Sequence, residues 1–101
     1  MKLILEYIEN HYGEKITVED GAALCFYSTS HFMKYFKKYM GMPFIQYLND
    51  YRLEKAAGFL RSTAMSVTDV AQRCGFDNIS YFNRLFRIKY HRTPGEYRRG
   101  E

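Results

Sequence analysis

The chain has 101 residues and a formal charge of +4; 47% of it is hydrophobic and 18% aromatic. That suffices for one small domain, or two tiny ones sharing an element, and it is the composition of a folded chain rather than a disordered one. No stretch approaches the ~20 apolar residues that span a bilayer and Met1 opens no signal-peptide pattern, so no membrane is expected and the expected setting is the cytoplasm.

Only Pro43 and Pro94 interrupt the chain, and no period-two alternation is sustained, which makes an all-α fold the default. The first helix is expected over Lys2 to Tyr12. Leu3, Ile4, Tyr7 and Ile8 face inward, Glu6, Glu9 and Asn10 face out, and Gly13 ends the helix as a C′ glycine. Thr17-Val-Glu-Asp20 has the spacing of a capping box, starting a short helix through Cys25. Phe26 and Tyr27 make a turn, and Ser28 caps a helix from about Thr29 to Met40. Its buried stripe is Phe32, Tyr35, Phe36 and Tyr39; its outer face is Ser30, Met33, Lys34, Lys37 and Lys38. Gly41 stops it.

From Pro43 to Arg61 the sequence reads as one long helix. Phe44, Leu48, Arg52, Ala56 and Leu60 recur every four residues, with Ile45, Leu53 and Phe59 widening the stripe. The plan then repeats. Ser66-Val-Thr-Asp69 is a second capping box, Gly75 allows a turn after Cys74, and Asp77 or Asn78 caps a helix from about Ile79 to Tyr90. That helix buries Phe82, Leu85 and Phe86 and exposes Ser80, Asn83, Arg84 and Arg87. Thr93-Pro94 opens a last helical turn containing Tyr97.

The repeat extends to individual residues. Asp20 matches Asp69, Ala22 matches Ala71, Cys25 matches Cys74, Phe32 matches Phe82, Phe36 matches Phe86, Pro43 matches Pro94, and Tyr47 matches Tyr97. Two copies of helix, short turn and helix, each with a basic outer face on the second helix, are what a pair of helix-turn-helix units looks like. Two copies are too few for a solenoid. Charge agrees: between Ser30 and Met42 there are three lysines and no acid, and between Ile79 and Gly100 six basic residues against Glu96 alone. This is the footprint expected where phosphates supply most of the affinity; a merely solvated Lys-rich face is the plainer alternative. The long helix between the units would measure roughly 28 Å. That is close to the ~34 Å between successive major grooves on one face of DNA.

These motifs carry a resemblance. Thr17-Val-Glu-Asp-Gly-Ala-Ala, Ser28-Thr-Ser-His-Phe-Met-Lys-Tyr-Phe-Lys, Gly41-Met-Pro-Phe and Arg52-Leu-Glu-Lys-Ala lie in the first half and centre. Val70-Ala71, Cys74-Gly75-Phe76, Tyr81-Phe82, Phe86-Arg87, Thr93-Pro94 and Tyr97-Arg98 lie in the second. Over essentially its whole length the chain resembles the DNA-binding domain of the AraC/XylS family of bacterial transcription regulators. The resemblance implies seven helices, with a first helix-turn-helix subdomain over 1–42, a linker helix over 43–61 and a second subdomain over 62–101. It also implies recognition helices, about 29–40 and 79–90, in successive major grooves of double-stranded DNA, and control of transcription. RNA polymerase is an implied partner, as is an N-terminal effector-binding or dimerisation region. Two positions depart from the family pattern: Gly21 stands where a buried leucine is usual and Phe26 where the turn usually has glycine. The first unit is therefore expected to be looser or differently turned than the second.

Individual roles follow from chemistry. Lys34 and Arg84 occupy matching places and are the first candidates for base edges, since an arginine donates two bonds to guanine; phosphate alone is the alternative. Asn83 can pair with adenine. Ser30 and Ser80 can reach bases or phosphate, and Ser80 can equally serve as a partial cap. Met33 and Ile79 can meet a thymine methyl, or instead a neighbouring helix. Lys37, Lys38 and Arg87 suit phosphates, and Ser28, Thr29 and Asn78 stand where helix N-terminal N–H groups meet phosphate.

No enzyme is indicated, and no cofactor. Cys25 and Cys74, His11, His31 and His91 have no metal-ligand spacing, and no catalytic set stands out. Tyrosines on the helix stripes read as core. Two other readings remain: a protein-interaction module using the basic faces on an acidic partner, and a thiol-based methyl-accepting enzyme domain using a cysteine.

Overall fold

The computed structural model describes residues 1–101 and contains seven helices and no strand. They are α1 (Lys2–His11), α2 (Val18–Leu24), α3 (Thr29–Met40), α4 (Phe44–Ser62), α5 (Val67–Arg73), α6 (Ile79–Tyr90) and α7 (Pro94–Arg99). The chain divides into two compact units, Met1–Tyr51 and Arg52–Glu101, and α4 contributes to both.

The helix starts follow the capping chemistry of the sequence. The Thr17 hydroxyl accepts from the Asp20 N–H at 3.1 Å, and the Asp20 carboxylate accepts from the Thr17 N–H at 2.9 Å. Ser28 and Asn78 accept from the third N–H of α3 and α6, at 3.1 and 2.9 Å. These bonds satisfy N–H groups that no helix can satisfy internally. Ser66 departs from the expected box: its hydroxyl accepts from Asp69, but the reciprocal bond is not made. Thr93 and Glu96 make a full box at α7, which the Thr-x-x-Glu spacing carries but the sequence reading did not name.

In unit 1 the core is Ile4, Ile8, Ile16, Ala22, Phe32, Phe36, Phe44 and Leu48. In unit 2 the buried residues include Leu53, Ala56, Ala57, Leu60, Val70, Ala71, Cys74, Phe76, Phe82 and Phe86. The matched residues make matched contacts. Phe36 meets Tyr47 edge-on at 5.5 Å, and Phe86 meets Tyr97 edge-on at 5.4 Å. Arg52, the one charged residue of the long apolar stripe, is buried in unit 2. Burial pulls its pKa down, and the Asp77 carboxylate pushes it back up.

Several expectations are corrected. Leu3 and Tyr39 are exposed, because they lie at the edge of their helical stripes rather than at its centre. No tyrosine is fully buried: phenylalanines form the two cores and tyrosines ring them, which keeps each hydroxyl near water or a polar partner. Gly13 is not left-handed. α1 ends through Tyr12 in a right-handed conformation, with the Glu14 N–H donating to the His11 carbonyl at 2.8 Å and the two side chains meeting at 2.7 Å. Gly21 leaves no void. A Cβ there would lie 2.5 Å from the tip of the Phe32 ring, so the ring of α3 already occupies the space beside α2 where a larger residue would project.

The turns of the two units also agree. The Tyr27 N–H donates to the Ala22 carbonyl and the Phe76 N–H to the Ala71 carbonyl, both at 2.9 Å. Phe26 adopts φ 59° where Gly75 has φ 94°, so the first turn has the same left-handed residue as the second despite its side chain.

Candidate nucleic-acid interface

α3 spans twelve residues, and its 3.6-residue period separates two faces. Phe32 and Phe36 are buried; Thr29, Ser30, Met33, Lys34, Lys37 and Lys38 are exposed. The sequence-predicted residues of unit 1 are thus brought together on one helix, with Ser28 at its start. One lone pair of the Ser28 hydroxyl is taken by the cap, which leaves its O–H and its second lone pair to offer outward. His31, which the sequence reading passed over, stacks on Tyr27 with ring centroids 4.1 Å apart and planes at 14°.

α6 repeats the arrangement. Phe82 and Phe86 are buried; Ile79, Ser80, Asn83, Arg84 and Arg87 are exposed. Asn78 is the cap, and its Oδ1 is committed to the Tyr81 N–H. Ser80 is therefore not a cap and stands free on the outer face. Asn78, Ser80, Tyr81 and Arg84 line a surface recess of about 350 Å³. The Arg84 guanidinium lies over the Tyr81 ring, 5.4 Å from its centroid. Tyr81 was read only as part of a motif; its signal was an aromatic residue three positions before the key arginine.

The electrostatics of these faces are simple. None of Lys34, Lys37, Lys38, Arg84 or Arg87 takes part in an ion pair. Lys89, also on α6, pairs with Glu54 at 3.8 Å and is partly neutralised. Unpaired, exposed cations spaced along a helix present a potential that attracts polyanions and costs no ion pair to use.

One of the two cysteines points away from thiol chemistry at this face. Cys74 is buried at the C-cap of α5, and burial pushes its pKa up to about 11, which keeps it a thiol at neutral pH. No helix is long and apolar enough to cross a membrane.

Comparison with known proteins agrees with this geometry. Residues 22–100 match the family described as "Helix-turn-helix domain". The chain is 36% identical to the HTH-type transcriptional activator RhaS of Enterobacter sp. (strain 638), over 96% of this chain and 35% of that protein. It spans between 32% and 46% of the length of RhaS and the other regulators it matches. Among solved structures, the C-terminal domain of the two-component response regulator yesN from Fusobacterium nucleatum superposes with a TM-score of 0.91 at 33% identity, covering 96% of this chain and 95% of that one. The DNA-binding domain of the global transcriptional factor AdpA, solved in complex with a target DNA, superposes with a TM-score of 0.91 at 28% identity, covering 98% and 88%. The chain belongs to the AraC/XylS family of helix-turn-helix transcription regulators, of which it is the DNA-binding domain.

Proposed function

We propose that the domain reads a bipartite DNA site, α3 lying in one major groove and α6 in the next. Lys34 and Arg84 face base edges, and Asn83 reads beside Arg84. Ser30, Ser80, Met33 and Ile79 fill in around them. Lys37, Lys38 and Arg87 hold phosphates, as do the N–H groups at the helix starts marked by Ser28, Thr29 and Asn78. The two recognition units would be the subdomains 1–42 and 62–101, joined by the linker 43–61. The observation that carries this reading is the pair of matched outer faces. Lys34 and Arg84, and Lys37 and Arg87, stand at equivalent places on two equivalent helices, exposed and without ion-pair partners. Phosphate contacts supply affinity and register, while base-edge donors supply sequence discrimination.

RhaS is a transcriptional activator and a longer protein. By extension, the whole regulator would act in the cytoplasm, recruit or contact RNA polymerase, and take its signal from an effector-binding or dimerisation region outside these 101 residues. No enzymatic role is assigned to the domain.

Selection from a randomised duplex library at two salt concentrations tests the reading. The expected result is an asymmetric motif with two half-sites about one helical turn apart, bound by a monomer. With around 6 to 8 phosphate contacts, log K should fall against log salt with a slope near −5 to −7. Lys34→Ala should relax one half-site and Arg84→Ala the other. Failure to enrich any sequence would overturn the proposal.

A further inference from the structure

A chain of ring contacts in unit 2 ends at the proposed base-reading arginine. Gly75, at φ 94°, turns the chain so that Phe76 enters the core, where it is 4% exposed and packs on Phe82 at 5.1 Å. The Tyr81 ring leans on Phe76 at 6.4 Å and 54°. Arg84, three residues on, reaches back toward the start of its helix as long helical side chains do. Its guanidinium lies 5.4 Å from the Tyr81 centroid. Tyr81 is 38% exposed, so a side chain on the outer face of α6 can reach its ring.

The same place in unit 1 is built differently. The counterpart of Tyr81 is His31, which stacks on Tyr27, and the counterpart of Arg84 is Lys34. A guanidinium is a planar fork that stacks on a ring and can still donate two parallel bonds at its edge. An ammonium is a point charge on a flexible stem.

We infer that Tyr81 is a specificity-determining positioning residue: leaning on Phe76, it holds the Arg84 guanidinium in the orientation that reads a guanine, and it makes the second unit the stricter reader. The inference rests on the DNA-reading role proposed above and adds to it the base preferred and the residue that enforces it. An unsupported arginine samples many rotamers and must be ordered when it meets the base. An arginine already laid on a ring has lost part of that freedom beforehand, so more of its contact energy appears as discrimination. A single exposed cation–π contact is modest, and the expected effect is correspondingly small.

The test uses the complete 101-residue chain, its selected duplex, and the same duplex with the base pair assigned to Arg84 changed from G·C to A·T. Tyr81→Leu should reduce the preference for G·C roughly two- to fivefold. Affinity for unrelated duplex should be unchanged, while loss of the ring contact with Phe76 should lower the thermal midpoint only slightly. Tyr81→Phe, which keeps the ring, should retain the preference. In an Arg84→Ala background, Tyr81→Leu should change nothing further. The inference is overturned if Tyr81→Leu leaves the preference intact, if it acts equally with and without Arg84, or if Tyr81→Phe loses as much as Tyr81→Leu, which would assign the effect to the hydroxyl. A wild-type chain that discriminates between no sequences overturns the DNA-reading proposal as well. A discriminating wild type with an unaffected Tyr81→Leu overturns only the role of Tyr81.

Discussion

Phe32 and Phe36 in unit 1 stand where Phe82 and Phe86 stand in unit 2, but the third buried phenylalanine comes from different places. In unit 1 it is Phe44, at the start of α4, which meets Phe32 at 5.1 Å and Phe36 at 5.3 Å. In unit 2 it is Phe76, in the turn itself. Unit 1 therefore anchors its turn through Tyr27 at the edge of the core, stacked on His31 and edge-on to Tyr35 at 5.2 Å, rather than through a fully buried ring. Tyr27 is half-buried there, and Phe26 is 94% exposed in a left-handed conformation that costs a non-glycine residue about 1 kcal/mol. Unit 2 ties its turn into the core and uses glycine where the backbone demands it. A repeated motif can thus keep its helices and its hydrogen bonds while moving the residue that secures the turn.

Removing the third ring is the most severe way to break this comparison. Phe44→Ala and Phe76→Ala should each cost about 3 to 5 kcal/mol, since both rings are nearly fully buried. The difference should appear in local hydrogen exchange. Phe76→Ala should deprotect the N–H groups of residues 74–79, whereas Phe44→Ala should leave those of residues 25–29 closer to their native protection. Equal deprotection of both turns would show that the anchor is not where the packing places it.

Exchanging the turn residues sharpens the comparison at a smaller scale. Gly75→Ala should destabilise the chain by at least about 1 kcal/mol, because its backbone is left-handed. Phe26→Gly should stabilise it by up to about 1 kcal/mol, because no packing is lost and the strain is relieved, offset in part by the freedom glycine has when unfolded. Urea midpoints of the two variants measure this directly, and destabilisation by Phe26→Gly would mean that the exposed ring has a contact that matters.

Much of this was legible in the sequence, and what was not has identifiable causes. Capping residues and glycines act locally, so the bounds of α3 and α6 are those expected from Ser28, Gly41 and Asn78. The fifty-residue repeat was legible because core aromatics sit at fixed offsets. The space beside Gly21 was not, since only the packed position of Phe32 shows that a ring fills it. Leu3 and Tyr39 were misplaced because periodicity finds the centre of a stripe better than its edge. On the recognition faces, the cations were visible as charge. The support beneath Arg84 was not, because it depends on Phe76 turning inward.

The smallest expected effect concerns acid. The Thr93 backbone N–H and hydroxyl hold the Glu96 carboxyl below its usual pKa, and the nearby Arg87 and Arg99 charges add to this. A depressed folded pKa contributes stability that is present above the usual carboxylate range and is lost as pH falls through the lowered value. Unfolding of unit 2 should therefore become easier on acidification, and Glu96→Gln should be less stable at neutral pH but flatter in its pH response. A parallel decline in both proteins would assign the acid sensitivity elsewhere.

The final helix has a consequence for how the domain can be handled. The Arg98 guanidinium donates to the Leu60 carbonyl at 3.2 Å and to the Thr63 carbonyl at 3.4 Å, where the end of α4 leaves acceptors unsatisfied. Arg61 bonds the Tyr97 hydroxyl beside it, and Tyr97 closes over Phe86 and Tyr90. The last nine residues therefore work as a latch on the preceding fold. A truncation ahead of Thr93, or a protease cut there, would leave α4 without its C-terminal cap and the Phe86 face uncovered. Fusion partners and tags belong beyond Glu101, where they leave that latch shut.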